Sequence, residues 1–524
     1  MKYPKKIFPV LFALLLLTGC GDNDGNTTFE SKVPTVETRS GSVSGIIDND
    51  SYAYLGLPFA KPPVGDLRWR LPETESPWTG VYQADSLSPA CPQDLGQTNI
   101  YGLTSCDEDC LYLNVWTPTD TKGGSLPVML WLHGGGYMGG SASQDLYNGT
   151  ALTQKGVIVV TANYRLGPLG FLVHPELYQQ QGQAGNYGLY DQLAALEWVR
   201  ENVSAFGGDP DNITIFGNSS GACSVTLFQT APITRGLFQR AISQSGTASS
   251  TWYVLNLTGS WWEAEAYGLW LQETLGAADI EEMRRMGAED IAEAAYTAKI
   301  YFGPVMDGVF LSQDPRQSAL DAVHAPMMIG SNRDEGTLFI WEYGIETLSD
   351  YRLALTRWFG ENAESVWELW PGSTDEEAMW QAATVLGLAG MQEPVRHTAR
   401  GASLSVPVYR YYYTHVPPTE AGAGLGCFHG SELAYVFGNL DPGEGYGAED
   451  AELSNQIMDL WTSFAKTGVP ETAGAPRWPQ YSTGQESILS INGPGDINLI
   501  DGLAEEECDF FESIAPNVTP DYPQ

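Results

Sequence analysis

Positive charge is scarce in this 524-residue chain: 26 Lys and Arg stand against 64 Asp and Glu, a formal net charge of −38. Nucleic-acid binding, whose electrostatic footprint is basic, is thereby excluded as an expectation. The acids are spread along the sequence, the pattern of a solvated acidic surface more than of a patch steering cations. Histidine and cysteine are also sparse, with six and seven copies. Few candidates therefore exist for a general base or a disulfide framework. No repeat of fixed period and no long low-complexity linker interrupts the sequence after residue 33. The apolar run at residues 7–17 is too short to span a bilayer as a mature helix.

That run has a different use. Lys2, Lys5 and Lys6 precede it, and Leu17-Thr18-Gly19-Cys20 follows, which resembles the lipobox of bacterial lipoproteins. The resemblance implies a signal peptide over residues 1–20 and a lipidated Cys20. Residues 21–33, polar and rich in Gly, Asn and Asp, read as a flexible tether. The chain is then expected in the bacterial cell envelope, exported and bound to the membrane through a lipid anchor only. Residues 34–524 form the functional domain, and 43% hydrophobic residues with 16 Trp give it material for a large core.

An exported chain can keep disulfides. Beyond Cys20 the cysteines are Cys91, Cys106, Cys110, Cys223, Cys427 and Cys508, and spacing alone does not fix their pairing. Cys223 reads as a buried free thiol acting as a small hydrophobe. At least one other would then also be free.

Strand and helix signals alternate. Residues 126–132 and 156–161 are short apolar, β-branched runs bounded by turn residues; 212–216 is a strand running into Gly217, and 408–413, just after Pro407, is another, rich in aromatics. Residues 190–203 read as an amphipathic helix with Leu193, Leu196, Val199 and Val203 inward. The alternation predicts an α/β fold, a mostly parallel central sheet with helices on both faces.

Three motifs in fixed order carry the chemistry. Gly217-Asn218-Ser219-Ser220-Gly221 lies between a strand and a helix pattern, which suits a tight turn exposing a serine hydroxyl. Asp334-Glu335-Gly336 follows an apolar strand and supplies an acid; chemistry alone leaves Asp334 and Glu335 both open. His429 sits in a Gly-rich loop, whereas His397 reads as a helix-face residue and His415 follows the aromatic strand. His429 is the favoured base. A run before them, His133-Gly134-Gly135-Gly136-Tyr137, suits an oxyanion hole, since glycine lets backbone N–H groups approach a ligand. Gly134, Gly136 and Gly139 also fit a dinucleotide fingerprint, but the next strand ends in Thr161-Ala162-Asn163 without the acidic residue that reading requires. The order Ser, acid, His is that of α/β-hydrolases.

At this point the sequence resembles the type-B carboxylesterase and cholinesterase-like family. The likeness shows in Gly56-Leu57-Pro58-Phe59-Ala60-Lys61-Pro62-Pro63-Val64-Gly65, in Glu108-Asp109-Cys110-Leu111-Tyr112-Leu113-Asn114-Val115 and in Asn163-Tyr164-Arg165-Leu166-Gly167. It continues through Ala205-Phe206-Gly207-Gly208-Asp209-Pro210, Gln244-Ser245-Gly246 and His429-Gly430-Ser431-Glu432-Leu433. The resemblance implies an α/β-hydrolase fold with Ser219 as nucleophile, Glu335 as acid and His429 as base. It implies oxyanion donors from the N–H groups of Gly135, Gly136 and Ser220. It further implies a Cys91–Cys110 disulfide, with Cys106 near enough to compete, and a buried structural pair between Arg68 and Glu108. Three departures bear on substrate: the elbow carries Asn218 where the family usually has Glu, Ile100 and Tyr101 occupy a stretch that holds Trp in cholinesterases, and Leu338 stands where those have an aromatic. Choline esters are disfavoured.

The expected function is a serine carboxylic-ester hydrolase working through an acyl-enzyme on small to medium uncharged esters. No metal and no organic cofactor are expected. The alternatives are a lipase-like esterase and a non-catalytic binding protein on the same fold, since fold alone does not establish activity. The pocket walls are expected from residues 246–302 and after 340.

Overall fold

Residues 33–95, 102–120, 125–250, 259–340 and 342–515 are described in the computed structural model. The expected signal peptide, Cys20, the tether up to residue 32, Ile100 and Tyr101 lie outside the described residues. Three short strands, β1 (Val36–Thr38), β2 (Gly41–Ser44) and β5 (Val81–Gln83), make a small sheet. A larger sheet takes β3 (Ile46–Asp48), β4 (Ser51–Pro58), β6 (Tyr112–Pro118), β7 (Leu126–Leu132), β8 (Ile158–Ala162) and β9 (Gly208–Asn218). Its remaining members are β10 (Arg240–Gln244), β11 (Met327–Asn332), β12 (Val408–Tyr413), β13 (Ser487–Gly493) and β14 (Asp496–Asp501). Their order across the sheet is β14-β13-β12-β11-β10-β9-β7-β8-β6-β4-β3. From β13 through to β8 every neighbour is parallel, and the antiparallel pairs lie at the two edges.

A central strand in such a sheet is buried on both faces, so its side chains must alternate between two apolar layers. In β7, Val128, Leu130 and Leu132 enter one core while Met129 and Trp131 enter the other. The first core is covered by the helices Tyr187–Asn202 and Ser220–Thr230, the second by the helix Ala448–Thr467. The helix read over residues 190–203 begins three residues earlier and is buried almost all round, with Asp191 and Gln192 inside. Asp191 is inside because both its oxygens accept from the buried Arg165 guanidinium, at 2.7 Å each. A helix pinned on both sides loses the clean amphipathic pattern of a surface helix.

The chain passes from β7 outward to β8 and then back across to β9, so the strand order reverses beside β7. In open α/β sheets, ligands bind at the carboxyl ends of the strands next to such a reversal. Here those ends lead into the Gly-rich run after Leu132, the turn after Asn218 and the segment after Asn332. All the sequence motifs thus share one edge of the sheet. No helix among the described residues is long and apolar enough to cross a membrane.

Candidate active site

Strand β9 ends at Asn218, the helix Ser220–Thr230 starts two residues later, and Ser219 makes the whole connection at φ 57°, ψ −124°. A residue with a side chain held there stores about 1–3 kcal/mol of strain. Two backbone bonds hold it, from the Ser219 N–H to the Gln244 carbonyl and from the Cys223 N–H to the Ser219 carbonyl, both 2.9 Å. The glycines around the turn leave no alternative. A Cβ on Gly221 would lie 2.0 Å from the Leu132 carbonyl oxygen, and one on Gly246 would lie 2.3 Å from the Ser219 carbonyl oxygen. The small residues of the motif are there because backbone occupies the space a side chain would need.

The Gly-rich run after β7 folds back over this turn. Gly135 and Gly136 adopt φ 117° and 63°, a region glycine enters without steric cost. The N–H groups of Gly135, Gly136 and Ser220 donate to no other group among the described residues. Gln93 fixes the far end of the run: its carboxamide accepts from the Gly140 N–H and donates to the Gly140 carbonyl, each at 2.8 Å. His133 opens the run, fully buried, its ring stacked on Tyr164 at 4.3 Å. Burial lowers its imidazole from the ordinary 6.5 to about 4, so it stays neutral.

Glu335 and His429 meet from separate loops. His429 Nδ1 lies 2.6 Å from Glu335 Oε2, and Glu335 is fully buried. The other carboxylate oxygen accepts the Asn332 main-chain N–H at 2.6 Å, which fixes the side chain's direction. Asp334 faces elsewhere: it pairs with Arg333 at 2.9 Å and accepts the Cys427 N–H at 2.8 Å. The choice that chemistry left open is thus separated by geometry, one carboxylate on the imidazole and one on the loop backbone. The second imidazole nitrogen, Nε2, is buried and has no hydrogen-bond partner. The histidine loop lies against the serine turn, with a Cβ on Gly430 coming 3.8 Å from Asn218 Oδ1.

The remaining histidines are engaged in structure. His397 lies on the helix Glu393–Ala402, as read from the sequence, and is buried between the Arg316 carbonyl and Glu512. His415 binds Asp450. Glu393, His397 and Glu512 offer atoms within 4.8 Å of one another, but Arg316 sits 2.6 Å from Glu393 and Arg400 lies 3.5 Å from Glu512. Two cations already hold the carboxylates that a metal ion would need.

Cys91 and Cys110 are joined, closing a loop across 19 positions. Cys106 stays outside that bond, half-buried near Glu289. Cys223, Cys427 and Cys508 are buried free thiols, each pushed up to about 12 by burial and so inert at neutral pH. The Arg68 guanidinium grips Glu108 through two bonds, 2.5 and 2.7 Å, out of contact with the serine turn.

An aromatic does stand beside the base. The Phe339 ring centroid is 5.0 Å from that of His429, one residue later than the position Leu338 occupies, because residues Glu335–Leu338 wind as a 3₁₀ turn. Just past the Gly-rich run, Met138 Sδ accepts the Phe302 main-chain N–H at 3.4 Å. Sequence reading missed Gln93, Gln244 and Glu432, whose side chains brace these loops; Gln244 and Glu432 stood inside quoted motifs, but without partners in sequence their roles were silent.

Residues 32–511 match the carboxylesterase family. The chain is 37% identical to fumonisin B1 esterase of Sphingopyxis macrogoltabida, over 85% of this chain and 84% of that protein. It is 36% identical to para-nitrobenzyl esterase of Bacillus subtilis, over 87% of this chain and 94% of that protein. A solved structure of a PNB esterase superposes with a TM-score of 0.80 at 34% identity, covering 91% of this chain and 99% of that one.

Proposed function

The chain belongs to the carboxylesterase family and is a serine carboxylic-ester hydrolase of α/β-hydrolase fold, and on that premise we propose that Ser219, His429 and Glu335 carry the reaction. The observation that supports this most is the 2.6 Å bond from His429 Nδ1 to Glu335 Oε2 with Nε2 left unpartnered. A carboxylate on Nδ1 holds the proton there and leaves Nε2 as the acceptor. His429 Nε2 takes the proton of the Ser219 hydroxyl as its oxygen attacks the ester carbonyl. The oxyanion that forms is met by the N–H groups of Gly135, Gly136 and Ser220, the last at a helix N-terminus. The imidazolium then gives its proton to the departing alcohol. Water then attacks the acyl carbonyl, giving a proton to His429, and the acid leaves as the bond to Ser219 breaks and His429 returns that proton to the serine oxygen.

The substrates are small to medium uncharged esters. Phe339 sets an apolar ring beside the His429 base, which supports that reading. A para-nitrobenzyl ester, named for the B. subtilis relative, is therefore a suitable probe. Turnover should vanish in Ser219→Ala with the fold intact; retained turnover contradicts the assignment.

Cys20 as a lipid anchor in the bacterial envelope rests on the sequence around it. Metabolic labelling with a radioactive fatty acid should mark the chain and not Cys20→Ser.

A further inference from the structure

Glu432 is only 1% exposed, and no cation pairs with it among the described residues. Its partners are three carboxamides, one from the end of each of three adjacent parallel strands. Asn218 of β9 donates to Oε1 at 3.4 Å, Gln244 of β10 donates to Oε1 at 3.0 Å, and Asn332 of β11 donates to Oε2 at 2.6 Å.

Each carboxamide is held the same way round by a second partner. The Trp461 indole N–H donates to Gln244 Oε1 at 3.0 Å, turning the Gln244 NH₂ toward Glu432. Asn332 Nδ2 also donates to the Phe428 carbonyl at 2.8 Å, and Asn218 Nδ2 to the Gln244 main-chain carbonyl at 3.3 Å. Flipping any of them would break a bond and set oxygen against oxygen. Every group that bonds the carboxylate is thus a donor. An ionised carboxylate is acceptor-only and fits; a protonated one would have to give up one of these bonds.

The same three strand ends carry the reacting groups. Asn218 precedes Ser219, and the Gln244 carbonyl accepts the Ser219 N–H. The Asn332 N–H orients Glu335, and Glu432 lies three residues past His429. We propose that Glu432 is an ionised positioning residue that locks the ends of β9, β10 and β11 against the histidine loop, its charge behind Glu335 favouring the His429 imidazolium. The proposal rests on the Ser219, His429 and Glu335 reading above.

The other titratable groups around Glu432 are Glu335, the Tyr411 and Tyr413 hydroxyls of β12 and the Cys427 thiol. Burial raises the two tyrosines and Cys427, which stay neutral. Glu335, on the imidazole, and Glu432, linked to it through Asn332, are therefore the two buried carboxylates of the site, with Asp334 paired to Arg333 beside them. On balance the Glu432 carboxyl is raised, by burial first and by the nearby Glu335, against the pull of the Asn332 and Gln244 amides.

The test is the pH profile of kcat/KM for p-nitrophenyl butyrate hydrolysis by the full chain and by E432Q and E432D. In E432Q the acid limb should move to lower pH by roughly one unit, because a negative charge that favoured the imidazolium is gone. Its kcat should fall about 10- to 100-fold with KM within about twofold, the mark of misplaced reacting groups. E432D keeps the charge, so its limb should stay where the parent has it while kcat falls. A folded E432Q with an unmoved limb overturns the proposal. Should E432Q not fold, E432D decides alone: a displaced limb there overturns it equally. Turnover surviving in Ser219→Ala would instead sink the underlying reading, so the two failures are distinct.

Discussion

Gln93 and Gly140 clamp each other, the carboxamide of one meeting both the N–H and the carbonyl of the other at 2.8 Å. Gln93 follows Cys91 by two residues, and its Nε2 also donates to the Cys91 carbonyl. The Cys91–Cys110 loop therefore reaches the Gly-rich run that offers the free N–H groups.

Cys91→Ala should accordingly do two things. Opening a loop across 19 positions costs about 3 kcal/mol in the chain-entropy model, read as a lower urea midpoint. Loosening the Gln93 clamp should also lower kcat for a p-nitrophenyl ester. Loss of stability with kcat unchanged would mean the clamp holds without the disulfide.

Glu335→Gln and Asp334→Asn separate the adjacent acids. In Glu335→Gln the amide oxygen must keep accepting the Asn332 N–H, so the NH₂ faces His429 and imposes the wrong tautomer. A fall in kcat of roughly 10³- to 10⁴-fold is expected. Asp334→Asn retains an acceptor for the Cys427 N–H and loses a half-exposed ion pair worth about 0–1 kcal/mol, so kcat should change less than about threefold.

Gly246→Ala places a methyl 2.3 Å from the Ser219 carbonyl oxygen, where backbone cannot give way cheaply. We expect destabilisation of about 1–3 kcal/mol and a kcat loss near 10²-fold as the serine turn shifts. Gly484→Ala, with nothing within 4 Å of its added Cβ, is the neutral control. Urea unfolding and initial rates read both.

His133 gives a pH dependence of stability. Its folded value of about 4 lies below the ordinary 6.5, so the unfolded chain binds the extra proton between those limits. Stability should fall as pH drops through 6.5 toward 4, by up to about 3 kcal/mol from this group. The difference between the parent and His133→Gln in unfolding free energy should narrow over that window. A constant difference would contradict it.

Much of this arrangement is legible in the sequence. The strands at residues 126–132 and 408–413 are found where an apolar run and an aromatic run predict them, because burial on both faces leaves a continuous signal. The glycines flanking Ser219 were equally readable, since contact with backbone demands them. What sequence could not show is direction. Asp334 and Glu335 are chemically alike, and only the 3₁₀ turn with the Asn332 N–H separates them. The same turn brings Phe339, one residue past Leu338, beside His429. Gln93, Gln244 and Glu432 act through partners distant in sequence, which no local pattern encodes.

The most direct test of the account is covalent. The full chain is treated with a fluorophosphonate, digested and mapped by mass spectrometry. A single adduct on Ser219, absent from Ser219→Ala and formed far more slowly in His429→Ala, is the result this account predicts. An adduct on another residue, or undiminished labelling in Ser219→Ala, would contradict it.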